Sequence, residues 1–275
     1  LLSFIKPSLV LLVKLLPTGK VGLMSSDLPF RIQTDAGHRK YLCSGMYLPS
    51  VTTVLSATES EKAKASLRTW QDNNPGALEE ASTRGSAIHK SAENYIRGLP
   101  IDCPPEYADY WTGISQYLDW FDTIHWSERP LRPDWNHLRS DDKQVAFVWS
   151  TVHKYAGCPD LIGEIGGVKV IADFKTSNSP YRSSFPERGD RMGYGGFRKF
   201  QKCAQQMAAY RLALRERTGF VCDVALIIVS TEKTSQGIFI DSDQMDLYES
   251  RFLKRAQQFH DMYIDNDSQA ADCSQ

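Results

Sequence analysis

Hydrophobic and polar residues alternate along three segments between residues 145 and 175. Alternation over 145–149 is typical of a half-buried strand. Two more strands are predicted at 161–165 and 168–174, and the dipeptide Gly166-Gly167 between them favours a two-residue hairpin turn. The pattern therefore predicts a β-hairpin in the second half of the chain.

Longer segments have the 3.6-residue periodicity of helices. Helices are expected over residues 74–97, 105–123, 199–217 and 243–263. The first begins with Asn74-Pro75, a typical cap and first helical residue, and Gly85 is expected to break it. The apolar run 224–229 reads as a buried strand, so that strand, helix and strand form a βαβ unit. Residues 30–54 are expected to form strands and turns. The chain is thus predicted to be an α/β protein.

The predicted hairpin places two carboxylates together. If Ile165 faces Val168, Asp160 lies directly opposite Asp173, with Cβ atoms about 4.5–5.5 Å apart. Two carboxylates this close repel each other unless a cation separates them or one is protonated. Side-chain alternation puts Lys175 on the same face. Oxygen ligands of this kind suit Mg²⁺ or Mn²⁺, and a bound metal activates water against phosphodiesters. The alternative is a structural Asp–Lys ion pair at a sheet edge.

Residues 180–217 form a basic segment with interleaved aromatic side chains. It contains nine Lys or Arg residues against three acids. Basic side chains track phosphates and aromatic rings stack on unpaired bases, so we interpret the segment as a single-strand-binding surface. Four glycines are expected to make residues 178–197 a mobile loop, and the alternative is a solvated loop without function. The predicted nucleic-acid contacts are Arg182, Arg191, Tyr194, Phe197, Arg198, Lys199 and Lys202.

Composition limits the remaining possibilities. The net charge of −1 over 275 residues provides no global basic field, so nucleic-acid binding must depend on a local patch. No two of the six cysteines have CxxC spacing, which argues against a zinc ribbon and favours reduced thiols in an intracellular protein. Residues 1–16 are too short and interrupted to span a membrane, and no membrane partner is expected. We expect residues 1–24 to be a poorly ordered leader or a targeting segment, and 25–275 to be a single domain.

Four motifs resemble a known family. The segment 157–160 (Gly-Cys-Pro-Asp), followed by 173–175 (Asp-Phe-Lys), resembles the signature of the PD-(D/E)xK nuclease superfamily. Residues 84–89 and 206–210 resemble the Gly-x-x-x-His and Gln-x-x-x-Tyr elements of its RecB-like branch. Residues 49–55 are similar to a segment of exonucleases of the mitochondrial genome maintenance type and their phage and bacterial relatives. The motifs cover roughly residues 30–230.

The resemblance implies a restriction-endonuclease-like fold, a mixed β-sheet core flanked by helices. It also implies roles for individual residues. The metal ligands would be His89, Asp160, Asp173 and the backbone carbonyl of Phe174; the catalytic group would include Lys175, with Gln206 and Tyr210 near it or near the DNA backbone. Glu93, four residues after His89 on the same helical face, is either a partner of His89 or a solvated acid. The cysteines are too scattered for the iron–sulfur cluster of some relatives, and none is expected.

Together, the motifs and the basic segment predict a Mg²⁺- or Mn²⁺-dependent exonuclease that acts on single-stranded DNA. Its expected role is in DNA repair or replication. Two alternatives stay open: an endonuclease or flap nuclease using the same site, and an inactive nucleic-acid-binding subunit. The expected compartment is the cytoplasm for a prokaryotic or viral protein, with mitochondria possible for a eukaryotic one.

Overall fold

A computed structural model of the chain describes residues 14–15, 21–22, 30–33, 39–140 and 146–272. Side chains are described for residues 40–140, 146–190 and 193–262. The predicted leader, residues 1–24, lies outside the described residues except for two dipeptides.

Thirteen strands and six α-helices lie within the described residues. The strands are β1 Lys14–Leu15, β2 Val21–Gly22, β3 Phe30–Gln33, β4 Arg39–Cys43, β5 Met46–Pro49, β6 Thr123–Ser127, β7 Arg129–Pro130, β8 Val148–Ser150, β9 Tyr155–Gly157, β10 Leu161–Ile165, β11 Val168–Thr176, β12 Val224–Ser230 and β13 Ser235–Ile240. The helices are α1 Val51–Ala57, α2 Glu61–Asn73, α3 Ala77–Ile96, α4 Ala108–Leu118, α5 Arg191–Thr218 and α6 Ser242–Asp272. Short 3₁₀ helices cover Pro105–Tyr107 and Pro133–Leu138.

The central sheet is mixed and has six strands in the order β13-β12-β11-β10-β6-β7. Only β11 and β12 pair in parallel, and α5 is the crossover between them. Antiparallel neighbours complete the sheet on both sides. The predicted βαβ unit and the mixed sheet flanked by helices are both confirmed.

The hairpin of β10 and β11 has the predicted register. Its pairs run from Ile165↔Val168 to Leu161↔Ala172. Gly166 and Gly167 have φ values of +57° and +79°, the left-handed conformation that a type I′ turn requires at both central residues. The first paired residue of β10 is Leu161, so Asp160 lies immediately before the strand.

Helices cover both faces of the hairpin. Ile162 and Ile171 belong to the core beneath α5, α6 and α1. Their neighbours on the opposite face, Leu161, Val170 and Ala172, pack in a second core with residues of α3 and α4. The alternation that the sequence predicted therefore holds, and α3 and α5 approach the same end of the hairpin from opposite sides.

Several element boundaries differ from those predicted. Helix α5 begins at Arg191, eight residues early, because the Asp190 side chain caps it by accepting a hydrogen bond from Gly193 N at 2.7 Å. The expected loop is therefore helical from residue 191 onward. Residues 51–57 form α1 instead of strand or turn, with Ser50 as cap. Helix α3 begins after Gly76 and continues through Gly85 without a break. Strand β13 and helix α2 were not predicted.

No helix among the described residues has an apolar stretch that would suffice to cross a bilayer.

Candidate active site

The two aspartates of the predicted site are buried at one end of the hairpin. Asp160 precedes β10 and is 8% exposed, and Asp173 in β11 is 0% exposed. Asp160 Oδ2 accepts a hydrogen bond from Phe174 N at 2.8 Å, which fixes this carboxylate against the neighbouring strand. Asp173 Oδ1 accepts from Gln206 Nε2 at 3.3 Å, and Oδ2 forms an ion pair with Lys175 Nζ. The hairpin thus brings Asp160, Asp173 and Lys175 together.

Helix α3 delivers His89 to this end of the hairpin. Ile88 and Ala92 are buried in the core beneath α3, so the helix presents His89 to β11. His89 Nε2 lies 3.2 Å from the Phe174 carbonyl oxygen, and Nδ1 lies 3.6 Å from Asp160 Oδ1. The side chain predicted from the Gly-x-x-x-His resemblance therefore lies beside the hairpin.

Glu128 also belongs to the site and was missed in the sequence. It follows β6, which pairs with β10, and its backbone N–H donates to Asp160 O at 3.0 Å. Its φ of +55° is in the left-handed region, uncommon for a residue with a side chain. Glu128 Oε1 lies 3.3 Å from His89 Nδ1. An acidic residue immediately after a short alternating segment, residues 123–127, is the only signal the sequence offers.

Glu93 does not partner His89. It forms ion pairs with Lys90 at 2.9 Å and Arg97 at 3.2 Å along its own helix. Glu128 lies beside His89, whereas the half-buried Glu93 carboxylate is paired along its own helix. The cross-strand neighbours Glu164 and Lys169 likewise form no ion pair: Glu164 binds His125 Nε2 at 2.9 Å, and Lys169 lies over the Phe220 ring.

Gln206 and Tyr210 lie one helical turn apart on the buried face of α5. Gln206 Nε2 is 3.3 Å from Asp173 Oδ1 and donates to Tyr210 Oη at 3.1 Å. The Tyr210 ring lies against Gly157, where an added Cβ would be 2.2 Å from Tyr210 Cε1. Gln206 therefore contacts the carboxylate that pairs with Lys175, and the glycine leaves space for the tyrosine.

Proximity of these charges shifts several pKa values. Burial acts to lower the pKa of His89, but the carboxylates of Asp160 and Glu128 outweigh it and raise the pKa to about 9. Burial raises the pKa of Asp173 to about 6, with Lys175 acting in the opposite direction. Burial disfavours the charge on Lys175, but attraction to Asp173 outweighs this and keeps its pKa above the ordinary value. The lysine is therefore a stable cation at neutral pH.

The donor set fits a divalent cation. Ligand atoms of His89, Glu128 and Asp160 all lie within 4.8 Å of one another, the only such group among the described residues. Two carboxylates and an imidazole are ligands that divalent metal ions accept in proteins. The Asp173 carboxylate is not in this group and is held by Lys175 and Gln206. The ligands border a cleft of about 400 Å³ that Lys175, Gln206 and Tyr210 also line.

The predicted nucleic-acid side chains have local partners. Arg182 pairs with Asp190 at 3.3 Å, and Arg198 with Glu59 at 3.4 Å. Lys199 Nζ donates to Ser177 Oγ at 3.0 Å and Lys202 Nζ to Ser56 Oγ at 3.1 Å, each reaching a segment beside the cleft. Tyr194 and Phe197 both pack on the Phe185 ring, which is 68% exposed. The side chain of Arg191 lies outside the described residues.

Comparisons with known proteins extend these findings. The model of the PD-(D/E)XK nuclease superfamily matches residues 61–275. A crystal structure of a protein from Eubacterium rectale, provisionally named an exonuclease, superposes with a TM-score of 0.36 and 13% identity, covering 65% of this chain and 68% of that one. A likeness at this level carries no information about activity. Among curated proteins, none matches this chain.

Proposed function

Because the chain belongs to the PD-(D/E)XK nuclease superfamily, we propose that it is a Mg²⁺- or Mn²⁺-dependent exonuclease that hydrolyses single-stranded DNA from an end. The observation that carries this proposal is the junction of two groups at one end of a hairpin. One is the His89, Glu128 and Asp160 cluster, and the other is the Asp173–Lys175 ion pair.

The cluster supplies the metal ligands of the proposed site. His89, Glu128 and Asp160 would hold the ion, and the Phe174 carbonyl oxygen lies beside them, 3.2 Å from His89 Nε2. Bound there, a divalent metal supplies Lewis acidity toward a phosphoryl oxygen and lowers the pKa of a water ligand. His89 lies near acceptors at both ring nitrogens, so in the metal-free protein it carries a proton that metal binding must displace.

Lys175 supplies the positive charge of the proposed mechanism. Its ammonium is held by Asp173 and its side chain is 25% exposed, so Lys175 borders the cleft while Asp173 stays buried. A fixed cation there stabilises the negative charge that develops on the phosphate as water attacks. Gln206 holds Asp173 from the other side, which fixes the direction in which the carboxylate meets the lysine. Gln206 and Tyr210 are thus proposed as positioning residues.

Binding of a nucleic-acid backbone is supported by two lysines beside the cleft, and a preference for single strands by an exposed aromatic cluster. Lys199 and Lys202 reach the loop after β11 and helix α1 respectively, which places two cations along the approach to the site. The ring cluster around Phe185 offers exposed aromatic surface for unpaired bases. A role in DNA repair or replication would follow from this activity.

A pair of substrates tests the proposal. Linear single-stranded DNA labelled at either end and a closed single-stranded circle of the same sequence are incubated with Mg²⁺ or Mn²⁺. We expect the linear strand to be degraded from an end while the circle stays intact, and EDTA to stop the reaction. Cleavage of the circle would show the endonuclease alternative, and binding without cleavage in any divalent metal would show an inactive binding subunit.

A further inference from the structure

A second pocket lies across helix α3 from the active-site cleft. Its volume is about 530 Å³, and it is lined by Arg84, Tyr110 and Asn178 together with the turn after β12. Arg84 lines this pocket, whereas the next residue, Gly85, lines the cleft that holds His89. The two cavities therefore meet at consecutive residues of one helix.

The pocket occupies a favourable position in the sheet. Asn178 follows β11, and Thr231 follows β12, the two strands that pair in parallel. Ser177 N donates to Ser230 O at 2.9 Å, which holds these two chain segments side by side. In open α/β sheets, ligands bind outside the carboxyl ends of parallel strands. The active-site residues Asp173 and Lys175 lie on the same strand, a few residues before the pocket.

Arg84 is a buried cation with unused hydrogen-bonding capacity. Its side chain is 6% exposed, and Nε is buried without a hydrogen-bond partner. The guanidinium carbon lies 4.6 Å from the centre of the Tyr110 ring, and Nη2 donates to Asn178 Oδ1 at 3.3 Å. These neutral contacts orient the guanidinium without neutralising it. Burying an arginine so incompletely paired is costly unless an anion completes it.

The acids near Arg84 leave room for an anion. Glu80 Oε1 is 3.4 Å from Arg84 Nη1, at the limit of a hydrogen bond, and the Glu80 side chain is 67% exposed. It can therefore move into solvent when an anion takes its place. Glu232 and Lys233 also line the pocket, both exposed, so their charges offset each other. Lys199 Nζ donates to the Oγ of Ser177, the residue before Asn178, at 3.0 Å, which places a second cation beside this chain segment.

We propose that this pocket binds a phosphate group of the nucleic-acid strand whose scissile phosphate lies in the cleft, with Arg84 as the phosphate-binding residue. The inference rests on the proposed nuclease function and adds a subsite to it. Arginine presents a fork of N–H donors that matches phosphate oxygens. No atom lies within 4 Å of the Cβ position at Gly85, so the helix leaves open space on the cleft side of Arg84.

Binding measured without cleavage tests the subsite. A fluorescent single-stranded oligonucleotide is titrated in EDTA at several salt concentrations against wild type, Arg84→Gln, Arg84→Lys and Lys254→Gln, an exposed lysine on α6. We expect Arg84→Gln to weaken binding about tenfold and to reduce the log K against log[salt] slope by about 0.7, the value for one single-strand phosphate contact. Arg84→Lys should keep the slope and lose part of the affinity. Lys254→Gln should match wild type.

Two further variants separate binding from folding. Glu80→Gln removes the competing acid and should bind the oligonucleotide as tightly as wild type or two- to threefold more tightly. If Arg84→Gln does not fold, Lys233→Gln at the pocket rim is measured in its place, and we expect it to lose two- to threefold in affinity for the oligonucleotide. In the cleavage assay, Arg84→Gln should raise KM and leave kcat nearly unchanged, a split that a merely structural role does not produce.

Oligonucleotides with and without a 5′-phosphate identify the source of the phosphate. If Arg84→Gln loses affinity equally for both oligonucleotides, the pocket binds an internal phosphodiester. If it loses affinity only for the phosphorylated strand, the pocket binds the terminal phosphate. The proposal is overturned if folded Arg84→Gln, or Lys233→Gln in its place, binds both strands with wild-type affinity and slope. If the variant binds like wild type and wild type still cleaves DNA, the phosphate subsite is wrong but the nuclease function is retained. If wild type neither binds nor cleaves DNA, the subsite and the nuclease function are both wrong.

Discussion

Gly157→Ala is expected to disturb the candidate site through a single methyl group. Gly157 ends β9, and a Cβ built on it would lie 2.2 Å from Tyr210 Cε1 and 3.0 Å from Cζ. Nonbonded carbon atoms prefer separations of about 3.5–4.0 Å, so the ring has to move by more than an ångström. The ring is only 4% exposed and its hydroxyl accepts from Gln206, so the ring cannot move without disturbing that hydrogen bond.

The size of the effect follows from overpacking. Inserting a methyl group into a well-packed core costs about 1–3 kcal/mol. For a domain of this size, each kcal/mol lowers Tm by roughly 2–4 °C, so a loss of roughly 2–12 °C is expected. Moving Tyr210 also moves Gln206 and with it the Asp173 carboxylate. Misplacement of about 1 Å at a catalytic group can reduce kcat about 100-fold.

Thermal unfolding and a cleavage assay measure the two effects separately. Gly195→Ala is the matched control, because Gly195 is exposed in α5 and its added Cβ meets no atom within 4 Å. That variant should gain up to about 1 kcal/mol from improved helix propensity. If Gly157→Ala melts within a degree of wild type and keeps its kcat, the close approach between Gly157 and Tyr210 is wrong, and so is the argument built on it.

Three more predictions concern the proposed metal ligands and helix α5. In EDTA, Tm should fall as the pH rises from 6.5 to 9. The folded protein raises the pKa of His89 from 6.5 to about 9. The stability that protonated His89 contributes is therefore complete below pH 6.5 and is lost as the pH rises through 9. His89→Gln should flatten that part of the melting profile, and a retained slope would assign it to another group. Glu128→Gln should weaken Mn²⁺ binding about 10–100-fold in a calorimetric titration, and unchanged affinity would remove Glu128 from the site. Asp190→Ala should lower the free energy of unfolding in urea by about 1 kcal/mol through loss of the cap on Gly193 N, while Asp190→Asn, which can still cap, should not.

The hairpin was predictable because its determinants are local. Gly166-Gly167 fixes the turn, the turn fixes the register, and the register brings Asp160 to the end of β11. The faces of both strands then follow from the period of two. His89 was found by a different route: its place on a helix 71 positions before Asp160 cannot be derived from periodicity, and only the resemblance to a known motif identified it.

Glu128 was missed because its role depends on a nonlocal pairing. Strand β6 joins β10 across more than thirty residues, and the register shifts at Ile162 and Gly163, so counting positions does not align Glu128 with Asp160. Its left-handed backbone conformation is equally invisible in the sequence. The two alternatives for Glu93 could not be separated for a related reason: helical spacing predicts which side chains share a face, but not which of them has a stronger partner nearby.

Helix α5 shows how a local contact can outweigh composition. Glycines within residues 189–196 favoured a loop, because each costs about 1 kcal/mol in a helix. Capping by Asp190 starts the helix nonetheless, and Gly193 fits there because an added Cβ would lie 2.2 Å from Asp190 Oδ2. A Cβ added at Gly196 would likewise lie only 2.9 Å from the Pro180 carbonyl oxygen. These glycines permit close packing of the helix start, a function that composition does not distinguish from flexibility.

The most direct test of the account compares three proteins on end-labelled single-stranded DNA with Mg²⁺ or Mn²⁺. Wild type is compared with Asp173→Asn, which keeps the shape of the buried side chain, and with Asp134→Asn, which changes an exposed acid paired only with Arg132 among the described residues. We predict that wild type and Asp134→Asn release short products at similar rates, that EDTA abolishes both reactions, and that Asp173→Asn loses at least about 100-fold in kcat while remaining folded. Digestion by Asp173→Asn at the wild-type rate, or digestion that continues in EDTA, would contradict the assignment of this site.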